Sequence, residues 1–171
     1  MNDTNRGCSL TEISGKFGTA YDFFISLYVL TQPDRFGLRP SWAAGVRSRL
    51  PLEQRKFLEE TLDIIPVPFG WLNQPDWQPK DAATALAVMA AMPASERLPA
   101  LLSGRNSSPS ARQAAERIQQ VRSYTSEDLE DLRGFFQKRV LPVKQKTLLF
   151  LAESLSNVEH FGQQMLNACQ V

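Results

Sequence analysis

An all-α fold, an irregular multi-helix bundle around a buried N-terminal helix, is what three observations predict. Apolar residues recur at helical spacing in most segments between Thr19 and Cys169. Prolines fall at the joints between those segments, where a helix loses least by stopping. With 171 residues, 43% of them apolar and 22% charged, the composition is that of an ordinary globular chain able to bury a core without staples.

Residues 1–17 are polar and are expected to form a flexible or docking arm, leaving 18–171 as a single helical domain. Thr19 and Asp22 have the spacing of a helix start. Tyr21, Phe24, Ile25, Tyr28 and Val29 then follow the i, i+3, i+4, i+7, i+8 pattern, with Phe23, Leu27 and Leu30 on a second flank. A helix apolar over so much of its circumference is expected to be buried. Pro33–Gly37 reads as a turn. A short helix is expected around Trp42–Val46 and another after Pro51, with Leu52, Phe57, Leu58, Leu62 and Ile65 inward.

Pro66 and Pro68 end that helix, so Pro66–Pro79 is expected to be an extended loop holding Phe69, Trp71 and Trp77. These three aromatics either line a pocket for a ligand or partner, or plug the core between helix pairs. Lys80–Met92 is alanine-rich and helical, Pro93 breaks it, and Ala94–Leu102 forms a short helix despite Pro99. A polar linker is expected at 103–108, followed by a helix capped by Ser108 and Pro109. That helix carries only a thin stripe of Ala114, Ile118 and Val121 and should be mostly exposed. Thr125 and Asp128 repeat the capping spacing. From Leu148 to Cys169 one long apolar helical run is expected. A chain that stops so soon after an apolar face suggests a truncation or a partner surface.

The net charge is +1, so no overall field recruits nucleic acid or an acidic membrane. Residues 105–146 carry 9 basic and 5 acidic side chains, and read as a solvated helix surface. Arg112, Arg117, Arg122, Arg133, Lys138 and Arg139 in that block are available to an acidic partner. Lys80–Leu102 has helix–turn–helix proportions, but its second helix would offer only Arg97, beside Glu96 and interrupted by Pro99, which is poor equipment for reading DNA. No apolar run approaches the ~20 residues of a membrane span. No signal-peptide layout is present, so the cytoplasm is the expected location.

Little points to catalysis. His160 is the single histidine, with no nucleophile motif around it. Neither phosphate-binding glycine motif occurs. Glu59, Glu60 and Asp63, and likewise Glu127, Asp128, Glu130 and Asp131, read as helix-surface and helix-start carboxylates. Cys8 and Cys169 are too far apart in sequence to suggest a disulfide framework or thiolate metal site, and no cofactor is implied.

The run Tyr21-Asp22-Phe23-Phe24-Ile25-Ser26-Leu27-Tyr28, its continuation Arg35–Arg47, and Phe150-Leu151-Ala152-Glu153 through Gln163-Gln164 together resemble the long N-terminal helical region of bacterial ArsR-type winged-helix regulators. The resemblance covers most of the chain. It implies a non-enzymatic regulatory domain that binds a small-molecule effector, a protein partner or a second copy of itself as a homodimer. No winged helix follows Pro142, so direct DNA contact is not carried over. Metal sensing is not either, because the two cysteines are far apart. The alternatives are a helical protein–protein adaptor unrelated to transcription, and an enzyme using the carboxylates read here as structural.

Overall fold

A computed structural model describes residues 18–74, 78, 80–137 and 142–170. The arm expected at 1–17, Trp77, and the Lys138–Leu141 stretch lie outside them. The predicted all-α class holds: ten α-helices and two 3₁₀ turns occur among the described residues, and no strand. They are α1 (Thr19–Thr31), α2 (Pro40–Arg47), α3 (Leu52–Ile64), α4 (Phe69–Leu72), α5 (Ala82–Ala91), α6 (Ala94–Leu102), α7 (Pro109–Val121), α8 (Ser126–Leu132), α9 (Gln145–Ser156) and α10 (Val158–Cys169). The 3₁₀ turns are Pro33–Phe36 and Arg133–Phe136. One apolar core draws on helices from α1 through α10.

The hub of this core is α10, not α1. Only Ala20 and Phe24 of α1 are buried, and Ile25 is 40% exposed. This corrects the expectation of a central first helix. The large side chains of α1 are covered in part by one another and by neighbouring turns, which half-shields a wide apolar surface without placing it in the interior. α10 succeeds as the hub because its small residues admit neighbours. A Cβ on Gly162 would run into the carbonyl oxygen of Ala94 and sit 2.7 Å from its carbon, so α10 and α6 touch backbone to backbone. Phe161, Met165, Ala168 and Cys169 fill the space around that crossing.

The long apolar run expected from Leu148 breaks at Asn157, with φ −136° and ψ 63°. Its side-chain Oδ1 accepts the His160 N–H at 3.3 Å and starts α10 as a new helix. Asparagine caps helices in this way, and nothing in the apolar spacing announces it. Similarly, Thr19 does not cap its own helix. Its Oγ1 accepts the Ala82 N–H at 3.1 Å and so tethers α1 to the start of α5. At α8 the expected capping box does form: the Asp128 N–H donates to Thr125 Oγ1 at 3.3 Å while the Thr125 N–H donates to Asp128 Oδ2 at 2.8 Å. Burial pushes the Asp128 carboxyl up, but hydrogen bonds from Thr125 and Arg117 outweigh it and hold the group below its ordinary value.

Two arginines close helix C-termini. Arg97 is 5% exposed, and its guanidinium donates to the carbonyls of Met89 (2.9 Å), Ala90 (3.3 Å) and Met92 (2.9 Å) at the end of α5, and of Gly162 in α10 (2.8 Å). Pro93 has no N–H and so cannot serve Met89 as its i+4 donor; Arg97 takes that place. Arg105 donates to Ile64 at the end of α3 and to Phe135 at 2.9 Å, and lies over the Phe136 ring. The polar segment at 103–108 is therefore tied down. Gly104, at φ 71°, and Gly70 also meet there with no room for a side chain on either. Along α7, Ala114 and Ile118 are buried as the stripe predicts, joined by Ala111 and Ala115, whereas Val121 is 63% exposed.

Cys169 closes the core at the end of α10, where burial pushes its thiol up to about 12. In a Cys8→Ser background, a disulfide reagent at neutral pH will leave the folded protein unmodified and react fully once denaturant unfolds it. Rapid reaction under native conditions would show that α10 is not docked.

Candidate functional site

The aromatics singled out between Pro66 and Pro79 have different surroundings. One helical turn, α4, forms inside the segment expected to be extended, because the Leu72 and Asn73 N–H groups find the Pro68 and Phe69 carbonyls at 2.9 Å. Trp71 is 1% exposed, with its ring edge-on to Phe24 at 6.0 Å between centroids. Phe69 is 52% exposed and stacks on Tyr21 at 6.4 Å. Trp77 lies outside the described residues. The Tyr21 hydroxyl, donating to Asn73 Oδ1 at 2.8 Å, fixes α4 on α1.

Phe69 and Tyr21 begin a stripe along the outer face of α1. Tyr21, Ile25 and Tyr28 succeed each other at i, i+4 and i+7, which places them on one face. Tyr28 packs edge-on against Phe36 at 5.8 Å, and Phe36 is itself 48% exposed. Trp42, 55% exposed, stands on α2, which packs on both α1 and the Pro33–Phe36 turn. Exposed charges of both signs border the stripe: Asp22 and Asp34, Arg35 and Arg39.

A second surface lies where α3 meets α9 and α10. Three clefts adjoin there through shared lining residues. The first, of about 290 Å³, includes Lys56, Glu59, Glu60, Asp63, Lys144, Lys146 and Phe150. The second, of about 250 Å³, includes Phe57, Glu60, Phe150, Glu153, His160 and Phe161. The third, of about 170 Å³, is lined by Glu53, Gln54, Phe57, Gln164 and Asn167. Phe57 meets Phe150 at 6.0 Å and Phe161 at 5.2 Å between ring centroids, which makes an aromatic floor. Neither Phe69 nor Trp71 lines these clefts.

This trough was missed in the sequence, although a signal was present. Phe57-Leu58-Glu59-Glu60 and Phe150-Leu151-Ala152-Glu153 share a Phe-Leu-x-Glu pattern. On a helix that spacing buries the leucine and sets Phe and Glu on one adjoining face. The two copies confront each other across the trough. Leu58 and Leu151 are both buried, as the pattern requires.

Other candidates find structural places. Arg97 and Leu98, the centre of the would-be recognition helix, are buried. His160 is exposed in the first turn of α10. Asp128 sits in the capping box and pairs with Arg117, and Glu130 pairs with Arg133 at 2.7 Å. Among the described residues, no group of three or more His, Cys, Asp or Glu side chains is placed to hold a metal ion. Among them too, no helix is long and apolar enough to cross a membrane. Comparisons with protein-family models, with characterised proteins and with solved structures give no match for this chain.

Proposed function

We propose that this chain is a non-enzymatic regulatory module that works by self-association through the outer face of α1. The observation carrying this reading is the aromatic stripe. Among the described residues, four of the six large hydrophobic side chains left exposed, Ile25, Phe36, Trp42 and Phe69, stand on α1 or on elements packed against it. Aromatics of this kind, gathered on one side and rimmed by polar groups, are what association surfaces carry. A two-fold pairing suits the border, because a self-complementary face must offer both charge signs, as Asp22, Asp34, Arg35 and Arg39 do. The resemblance to the helical region of ArsR-type regulators agrees with a dimerisation role, with DNA contact left to another chain or domain.

Sedimentation velocity over a concentration series tests the proposal. Wild-type protein will pass from monomer to dimer with a micromolar dissociation constant. Ile25→Asp combined with Trp42→Ser will weaken it at least about tenfold for each apolar side chain lost, since burying one contributes ~1.5 kcal/mol or more. A wild-type chain that stays monomeric throughout, or a dimer indifferent to both substitutions, would remove the reading.

A further inference from the structure

We infer that the trough between α3 and α9–α10 is a docking site for an amphipathic helix of a partner protein carrying Lys or Arg beside its apolar stripe. This surface shares no residue with the α1 stripe, so the two readings fail separately.

Shape selects a helix. The clefts run along α3 from Glu53 to Asp63, ~15 Å at the rise of an α-helix, which matches about three turns of an occupant. They open to one side rather than enclosing a volume, and small molecules prefer enclosure. The floor suits an apolar stripe: Phe57 and Phe161 are buried but present ring atoms to the cleft, and Phe150, on the other side of Phe57, is half-buried. Helix-in-groove recognition relies on anchors entering such a floor at i, i+3 or i+4, and i+7.

Charge selects the flank. Glu60 and Glu153 rim the central section from opposite walls, and both are exposed. Neither forms an ion pair among the described residues, and no Lys or Arg lines that section. Glu53 stands at one end, where Lys56 already pairs with it at 3.9 Å, so the unpaired acidic border is Glu60 and Glu153. At that end Gln54 also lines the cleft, its Oε1 buried without a hydrogen-bond donor among the described residues. A lysine or arginine stem laid along Phe57 and Phe150 brings its cationic head to Glu60 and Glu153, joining apolar contact to charge-assisted hydrogen bonds. The other end mixes signs, with Lys56, Lys144 and Lys146 lining it beside Glu59 and Asp63, and there Thr147 already donates to Asp63 at 2.9 Å. The selective section is therefore the central one.

Fluorescence anisotropy with the full chain tests this. The probes are a labelled three-turn Leu/Lys amphipathic peptide and a Leu/Glu peptide of the same apolar pattern. The Leu/Lys peptide will bind with a micromolar dissociation constant, at least about tenfold tighter than the Leu/Glu peptide, because like charge across the rim disfavours the latter. Glu60→Lys with Glu153→Lys will reverse that preference. Glu116→Lys with Glu127→Lys, the same change in net charge at exposed sites away from the trough, will leave it unchanged. All four side chains are exposed, and thermal melts will verify that each double variant is folded, Glu127→Lys included, since it removes a first-turn carboxylate from α8. No binding of the Leu/Lys peptide, equal binding of both peptides, or equal effects of the two double substitutions would overturn the inference.

Discussion

Replacing Arg97 with leucine will lower the stability of the fold by about 3–4 kcal/mol, in the range seen when a buried polar network loses its centre. The four carbonyls it serves lie at the end of α5 and in α10, and leucine offers none of them a donor. Met89 is the worst placed, because the residue four positions on is a proline. The cation also meets the negative end of the α5 dipole, an interaction that leucine discards. Arg97→Lys will recover part of the loss. One ammonium can reach some of these oxygens, but it lacks the planar fork that spans two helices. Urea denaturation gives the ordering: wild type most stable, then lysine, then leucine. Leucine as stable as wild type would show that Arg97 does not join these helices.

Gly162→Ala should cost about 2–3 kcal/mol, and its sign is the informative part. In an exposed helix this change stabilises by ~1 kcal/mol, because alanine has the better helix propensity. Here the new Cβ meets the Ala94 backbone, which cannot rotate aside as a side chain would. Separating α10 from α6 enough to admit a methyl group would also pull the Gly162 carbonyl from Arg97. Gly162→Ala and Arg97→Leu should therefore combine to less than the sum of their separate losses. A stabilised Gly162→Ala protein would mean that the two helices do not cross at this residue.

These two positions also show what the sequence makes legible. Periodicity of large apolar residues locates the stretches of α1 and α3, alanine content and the Pro93 break those of α5 and α6, and short polar signals the starts of α7 and α8, where Ser108 and Thr125 act within three residues of themselves. The same reasoning placed α1 at the centre because it weighed apolar size and not proximity. What brings α10 to the centre is the absence of a side chain at Gly162, which no measure of hydrophobicity registers. Arg97 was illegible for a related reason. A lone arginine beside a glutamate reads as surface, and only the fold reveals four carbonyls converging on it. Asn157 divided an apolar run through a single side-chain hydrogen bond. The trough depends on two Phe-Leu-x-Glu segments separated by more than ninety residues, so its chemistry exists only after α3 and α9 pack. Of the aromatics between Pro66 and Pro79, Phe69 stands on the α1 stripe and Trp71 is sealed against Phe24.

Hydroxyl-radical footprinting of the wild-type chain, from low micromolar to submillimolar concentration, reads the α1 surface directly. Oxidation of Phe36, Trp42 and Phe69 should fall as concentration rises, while Val121, equally open to solvent on α7, keeps a constant rate. Unchanged protection of the three aromatics across that range, or a parallel fall at Val121, would contradict self-association through α1.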